Sequence, residues 1–130
     1  MPKPRPKKTL YYAHAMCLYG HYHEDAELEL IRAGFPGHRI VNPAGYDDHP
    51  AKRRDTLGFC FRLIDKADVV VFSRLLGKVT AGVGAEVRYA LEAGKPVFEI
   101  RDGRLVAVKR PVRFIGRDAT VALYREFRAL

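Results

Sequence analysis

Glu86 and His14 are the residues best suited by type and place to do chemistry. Glu86 follows the loop Ser73-Arg-Leu-Leu-Gly-Lys-Val-Thr-Ala-Gly-Val-Gly84, and the spacing predicts that this loop enters a helix whose first turn holds the glutamate. A helix start attracts negative charge through its dipole and its unpaired N–H groups, so a carboxylate or a bound anion is at home there. Gly82 and Gly84 would let backbone amides approach a ligand closely, and Thr80 adds a hydroxyl. The plainer alternative is a tight turn followed by an acid that complements the dipole. Neither standard phosphate motif fits: Val87 stands where GxGxxG needs its third glycine, and Phe72 stands where a P-loop ending in Gly77-Lys78 needs its first.

His14 closes the first apolar segment. With an ordinary pKa of about 6.5 it is suited to protonate a leaving group or activate water, or else it is hydrogen-bonded within its loop. Asn42, just before Pro43, could touch a ligand or cap a turn. His21 and His23 lie two apart, which on a helix points them to different sides, so no metal site and no cofactor is called for. Cys60, between Phe59 and Phe61, reads as packing.

The elements that must position these residues alternate in type. Strands are expected at Thr9–His14, Arg39–Asn42, Asp68–Phe72 and Pro96–Ile100, and helices at about 21–33, 51–66 and 83–94. Asp102-Gly103 then signals a hairpin into an edge strand at Leu105–Val108, and Ala119–Phe127 forms a closing helix. This order implies an α/β fold: an open, mostly parallel sheet of about five strands, helices on both faces, one antiparallel edge strand. In such sheets the loops at the carboxyl ends of the strands hold the ligand.

The chain has 130 residues, enough for one domain over residues 9–130. No apolar run is long enough to span a bilayer, and the N-terminus lacks the apolar stretch of a secretory signal. Two cysteines make no disulfide framework, which points to an intracellular, cytoplasmic setting. The net charge is +8, and half of it lies in residues 1–8, where Lys3, Arg5, Lys7 and Lys8 alternate with prolines in an expected disordered tail. The tail allows a nucleic-acid contact without favouring one. Basic charge over the body, with Arg74 and Lys78 in the glycine loop, suits a phosphate-bearing ligand.

The run Gly82-Val-Gly-Ala-Glu-Val-Arg-Tyr-Ala-Leu-Glu-Ala-Gly-Lys-Pro-Val97, preceded by Ala67-Asp-Val-Val-Val-Phe72, resembles the nucleoside 2-deoxyribosyltransferase superfamily. It is most similar there to the 2′-deoxynucleoside 5′-monophosphate N-glycosidases. The resemblance implies a small flavodoxin-like domain, a homodimer, and cleavage of an N-glycosidic bond with Glu86 as nucleophile and Tyr11 as the phenol that holds it. Thr80, where free-nucleoside transferases carry an acid, implies a 5′-monophosphate ligand. A deoxyribosyltransferase and a non-catalytic nucleotide-binding module are the alternatives. Cys60 stands where the glycosidases have an aspartate; His14 could fill that role unless it is hydrogen-bonded within its loop, and Asp55 and Asp65 on the neighbouring helix are the competing candidates.

Overall fold

Val69-Val-Val-Phe72 carries no polar group for either face, so it is stable where both faces are covered, and it forms the middle strand of the sheet. The structure, a computed structural model, describes residues 7–130; the first six residues of the expected tail lie outside the described residues. Strands β1 (Thr9–Ala13), β2 (Arg39–Val41), β3 (Val69–Phe72), β4 (Val97–Arg101) and β5 (Arg104–Val108) lie in the order β2-β1-β3-β4-β5. The first four are parallel and β5 runs antiparallel to β4. The fold is therefore the α/β sheet with one antiparallel edge strand that the alternation implied. Asp102 and Gly103 make the hairpin with φ of 49° and 71°, the left-handed pair that a two-residue turn between twisted strands requires.

Helix α1 (Tyr22–Gly34) covers one face, setting Leu28 and Ile31 against Leu10, Tyr12 and Val71. On the other face α3 (Thr56–Asp65) and α4 (Ala81–Glu92) set Cys60, Ile64, Val83 and Val87 against Tyr11, Val70 and Phe72. The alternation of side chains along β1 thus sends Tyr11 and Tyr12 into different cores. The last helix, α5 (Arg117–Arg128), packs Leu123 on Ala15, Leu18 and Leu75, which follow the carboxyl ends of β1 and β3. Among the described residues no helix is long and apolar enough to cross a membrane.

The helix expected over residues 51–66 is two helices, α2 (Pro50–Arg54) and α3. Asp55 breaks it: its backbone leaves the helical region, at φ −151°, and its carboxylate caps α3 by accepting the Gly58 N–H at 3.0 Å. The apolar spacing runs across this break and so concealed it.

Gly84 is a packing glycine. A Cβ there would lie 2.0 Å from the Phe114 ring carbon Cγ, so the segment after β5 rests directly on the α4 backbone. Gly84→Ala should therefore destabilise the fold by about 1–3 kcal/mol despite alanine's better helix propensity, read as a lower urea midpoint. An unchanged midpoint would mean that this segment is not held against α4.

Candidate active site between the ends of β1 and β3

In the order β2-β1-β3 the chain leaves β1 and β3 in opposite directions, and the diverging loops open a crevice between them. It is a cavity of about 290 Å³. The segment after β1 supplies Met16 and Tyr19, the start of α4 supplies Thr80 to Val83 and Glu86, α3 supplies Cys60, and α5 supplies Arg117 and Tyr124.

Glu86 is buried, and the Tyr11 hydroxyl donates a hydrogen bond to its Oε2. The glutamate sits six residues into α4, in the second turn, where the helix dipole has largely faded. The expectation of a first-turn carboxylate kept ionised by the dipole is therefore corrected. Burial raises Glu86 to about 7, opposed by the Tyr11 hydrogen bond and by the positive charge of Lys52. The Tyr11 phenol is itself driven far above its ordinary range by burial and by Glu86, so it remains a donor. The site holds a carboxyl that changes charge near neutrality beside a phenol that does not.

Lys52 and Cys60 were missed as site residues. The Lys52 side chain is buried, its Nζ donating to the Pro43 carbonyl at 2.7 Å and to Asp47 at 2.6 Å. The Cys60 thiol lies beside Tyr11 and lines the cavity, and burial raises it to about 11, so it stays protonated. Its position on the inner face of α3 was legible as an apolar position, which is why it read as packing.

The glycine loop divides into parts. Thr80 is buried and lines the cavity, and Gly82 has open space where a Cβ would stand. Thr120 on α5 accepts the Ala81 N–H at 2.9 Å, and the Gly84 N–H is bonded to the Thr80 carbonyl at 2.8 Å. At the start of α4 the Gly82 and Val83 N–H groups have no protein partner among the described residues, and both residues line the cavity. Gly84, expected to approach a ligand, is instead covered by Phe114. Arg74 and Lys78 also lie outside the cavity, because Leu76 and Gly77, both at positive φ, turn residues 75–78 back on themselves. The cation at the cavity is Arg117.

His14 is at the end of β1 and lines the cavity, but both ring nitrogens are engaged. Nδ1 lies 3.1 Å from the Tyr12 carbonyl, which fixes a proton on that nitrogen, and Nε2 lies 2.6 Å from Glu24. Burial lowers the His14 pKa, while the Glu24 hydrogen bond pulls the other way. The ring also stacks on Tyr12 at 3.7 Å between centroids. Both ring nitrogens thus have protein partners, so neither is free for a ligand in this arrangement.

Asn42 accepts the Ala44 N–H at 2.9 Å, capping a turn, and does not line the cavity. Asp55 caps α3 and Asp65 accepts from the Tyr89 hydroxyl at the surface, so neither carboxyl takes the place of an acid at Cys60. His21 Nδ1 accepts the His23 N–H, and among the described residues no group of three or more His, Cys, Asp or Glu converges.

No family model and no curated protein matches this chain. Among solved structures it is similar to a 2-desoxiribosyltransferase from Leishmania mexicana, with 17% identity, a TM-score of 0.47, and coverage of 92% of this chain and 97% of that one.

The raised Glu86 pKa has a consequence for stability. Below about pH 4.5 the carboxyl is protonated whether the chain is folded or not; between there and about 7 the unfolded chain ionises first, so stability falls as pH rises. The shift corresponds to about 3 kcal/mol. Glu86→Gln keeps an acceptor for Tyr11 and removes the ionisation. It should be more stable than the parent by about 2–3 kcal/mol near pH 8 and close to parity near pH 4, read by urea denaturation. Equal stability at both pH values would show Glu86 to be solvated.

Proposed function

We propose that the protein hydrolyses the N-glycosidic bond of a nucleoside 5′-monophosphate, with Glu86 as nucleophile. The observation that carries this reading is a buried carboxyl, held by a tyrosine hydroxyl, lining a crevice at the carboxyl ends of two parallel strands. The Glu86 carboxylate attacks the anomeric carbon as the carbon–nitrogen bond breaks, and the bonding pair leaves with the base, which takes a proton from water. A second water then attacks the same carbon, releasing the sugar phosphate and regenerating the carboxylate. Tyr11 orients the attacking oxygen. The 5′-phosphate is received by the Gly82 and Val83 N–H groups and by Arg117, a helix start with a guanidinium beside it.

Met16, Leu57 and Val121 line the cavity and are exposed, an apolar rim suited to the flat base and to a second copy of the chain closing the mouth. A homodimer is part of this reading. One observation favours a second reading, a nucleotide-binding module without turnover. With both His14 nitrogens engaged and the Cys60 thiol pushed up to about 11, the cavity presents, among the described residues, no second group free to move a proton near neutrality.

Incubating the protein with a panel of ribo- and deoxynucleoside monophosphates and following released base by chromatography tests both. The rate should rise with pH through about 7 as Glu86 ionises, and Glu86→Gln should abolish release while Tyr11→Phe lowers it about 10- to 100-fold. Base release that persists in Glu86→Gln would remove the nucleophile. Exchange of one base for another without hydrolysis would make it a transferase, and binding without turnover would favour the module.

The phosphate contact is tested separately. Arg117→Ala should raise KM for nucleotides at least 10-fold, with little effect on any activity toward nucleosides. An equal effect on both would place the phosphate elsewhere.

A further inference from the structure

The body of the protein, residues 9–130, carries 19 cationic and 15 acidic side chains, and its excess has a location. A groove of about 630 Å³ runs along the β4–β5 edge and the segment that follows it. Five cations line it, Arg74, Arg101, Lys109, Arg110 and Arg113, against one acid, Glu99. The groove therefore accounts for an excess equal to that of the whole body.

Glu99 is 1% exposed, and its carboxylate is divided between two guanidiniums. Arg74 Nε donates to Oε1 at 2.9 Å and Arg101 Nε donates to Oε2 at 2.6 Å. Each arginine is thus held by its inner nitrogen. The terminal nitrogens remain available, apart from a 3.5 Å contact from Arg74 Nη1 to the Gly77 carbonyl. A buried acid that uses only the inner nitrogens orients a guanidinium pair without neutralising its outer edge. Lys109, Arg110 and Arg113 are exposed and, among the described residues, make no ion pair.

We propose that this groove binds the sugar–phosphate backbone of a nucleic-acid strand. One phosphate needs at most two of these charges. The five are spread over β4, the turn after β3 and the five-residue segment 109–113, which spans up to about 16 Å if extended. That length suits successive phosphates. No aromatic side chain lines the groove, so bases have nothing to stack on, and binding follows the backbone and is insensitive to sequence. The site is separate from the Glu86 cavity, with which it shares no lining residue, and does not rest on the reading of that cavity.

The test is fluorescence anisotropy of the full chain with a labelled single strand of about 12 nucleotides, over roughly 50 to 200 mM salt. Replacing Lys109, Arg110 and Arg113 together by Ser should weaken binding at least 10-fold at the low-salt end. It should also reduce the salt slope by about 2, near 0.7 per lost phosphate contact on a single strand. All three are exposed, so circular dichroism should be unchanged; if the triple variant fails to fold, Arg110→Glu alone should still weaken binding severalfold. A chain with Lys3, Arg5, Lys7 and Lys8 replaced by Ser should bind within about threefold of the parent, since the groove and not the tail supplies the contacts. Unchanged binding in the groove variants, loss confined to the tail variant, or displacement of the strand by millimolar inorganic phosphate would each overturn the proposal. Equal competition from poly-glutamate of matching charge would do so too, because it would reduce the groove to an unselective basic patch.

Discussion

The carboxyl of Glu86, buried under the hydroxyl of Tyr11, is the contact around which the carboxyl end of the sheet is arranged. It joins the middle of β1 to the second turn of α4, segments 75 residues apart in sequence. A buried acid is tolerated when its oxygens have donors and some positive charge lies within reach. Tyr11 supplies the donor, and Lys52, fixed by Pro43 and Asp47, supplies the charge. The result is a group poised between its two protonation states near neutrality, at some cost to stability.

Behind this contact lies a second polar layer on the opposite face of β1. Tyr12 and Ser73 both donate to Glu27, and His14 meets Glu24. The layer ties α1 to the ends of β1 and β3 and fixes the chain just before it enters the cavity wall. Alternation along a strand makes the division of labour: Tyr11 faces the site, Tyr12 anchors the sheet to α1, and His14 follows Tyr12 onto the anchoring side. His14 thus meets Glu24 of α1 while still lining the cavity at the end of β1.

Charge is organised by the same topology. Parallel strands end together, and α5 crosses those ends, bringing Arg117 to the mouth of the cavity and Thr120 to the first N–H of α4. The antiparallel edge strand carries the chain away from that mouth, and Lys109, Arg110 and Arg113 after it line a groove with Arg74 and Arg101, the two arginines that hold Glu99. The cavity and the basic groove share no lining residue because β5 reverses direction.

The elements were legible where local physics decides them. The unbroken apolar run of β3, the Asp102-Gly103 turn and the amphipathic spacing of α1 and α4 each have one stable local solution, and together they imply the α/β sheet. The pairing of Glu86 with Tyr11 was legible too, through the Gly82–Val97 motif and the residue at the middle of the first strand. Tertiary structure decided what depends on distance across the fold. Asp55 is a separate case, a local cap three residues from its partner that the continuous apolar period concealed. Gly84 went under Phe114, Arg74 turned to Glu99, and Arg117 entered the cavity, because each of these contacts is made with a segment at least 25 residues away. Residue type and spacing set the chemistry a side chain can do; which partner it meets, and so its charge state, is fixed by the packing that desolvates it.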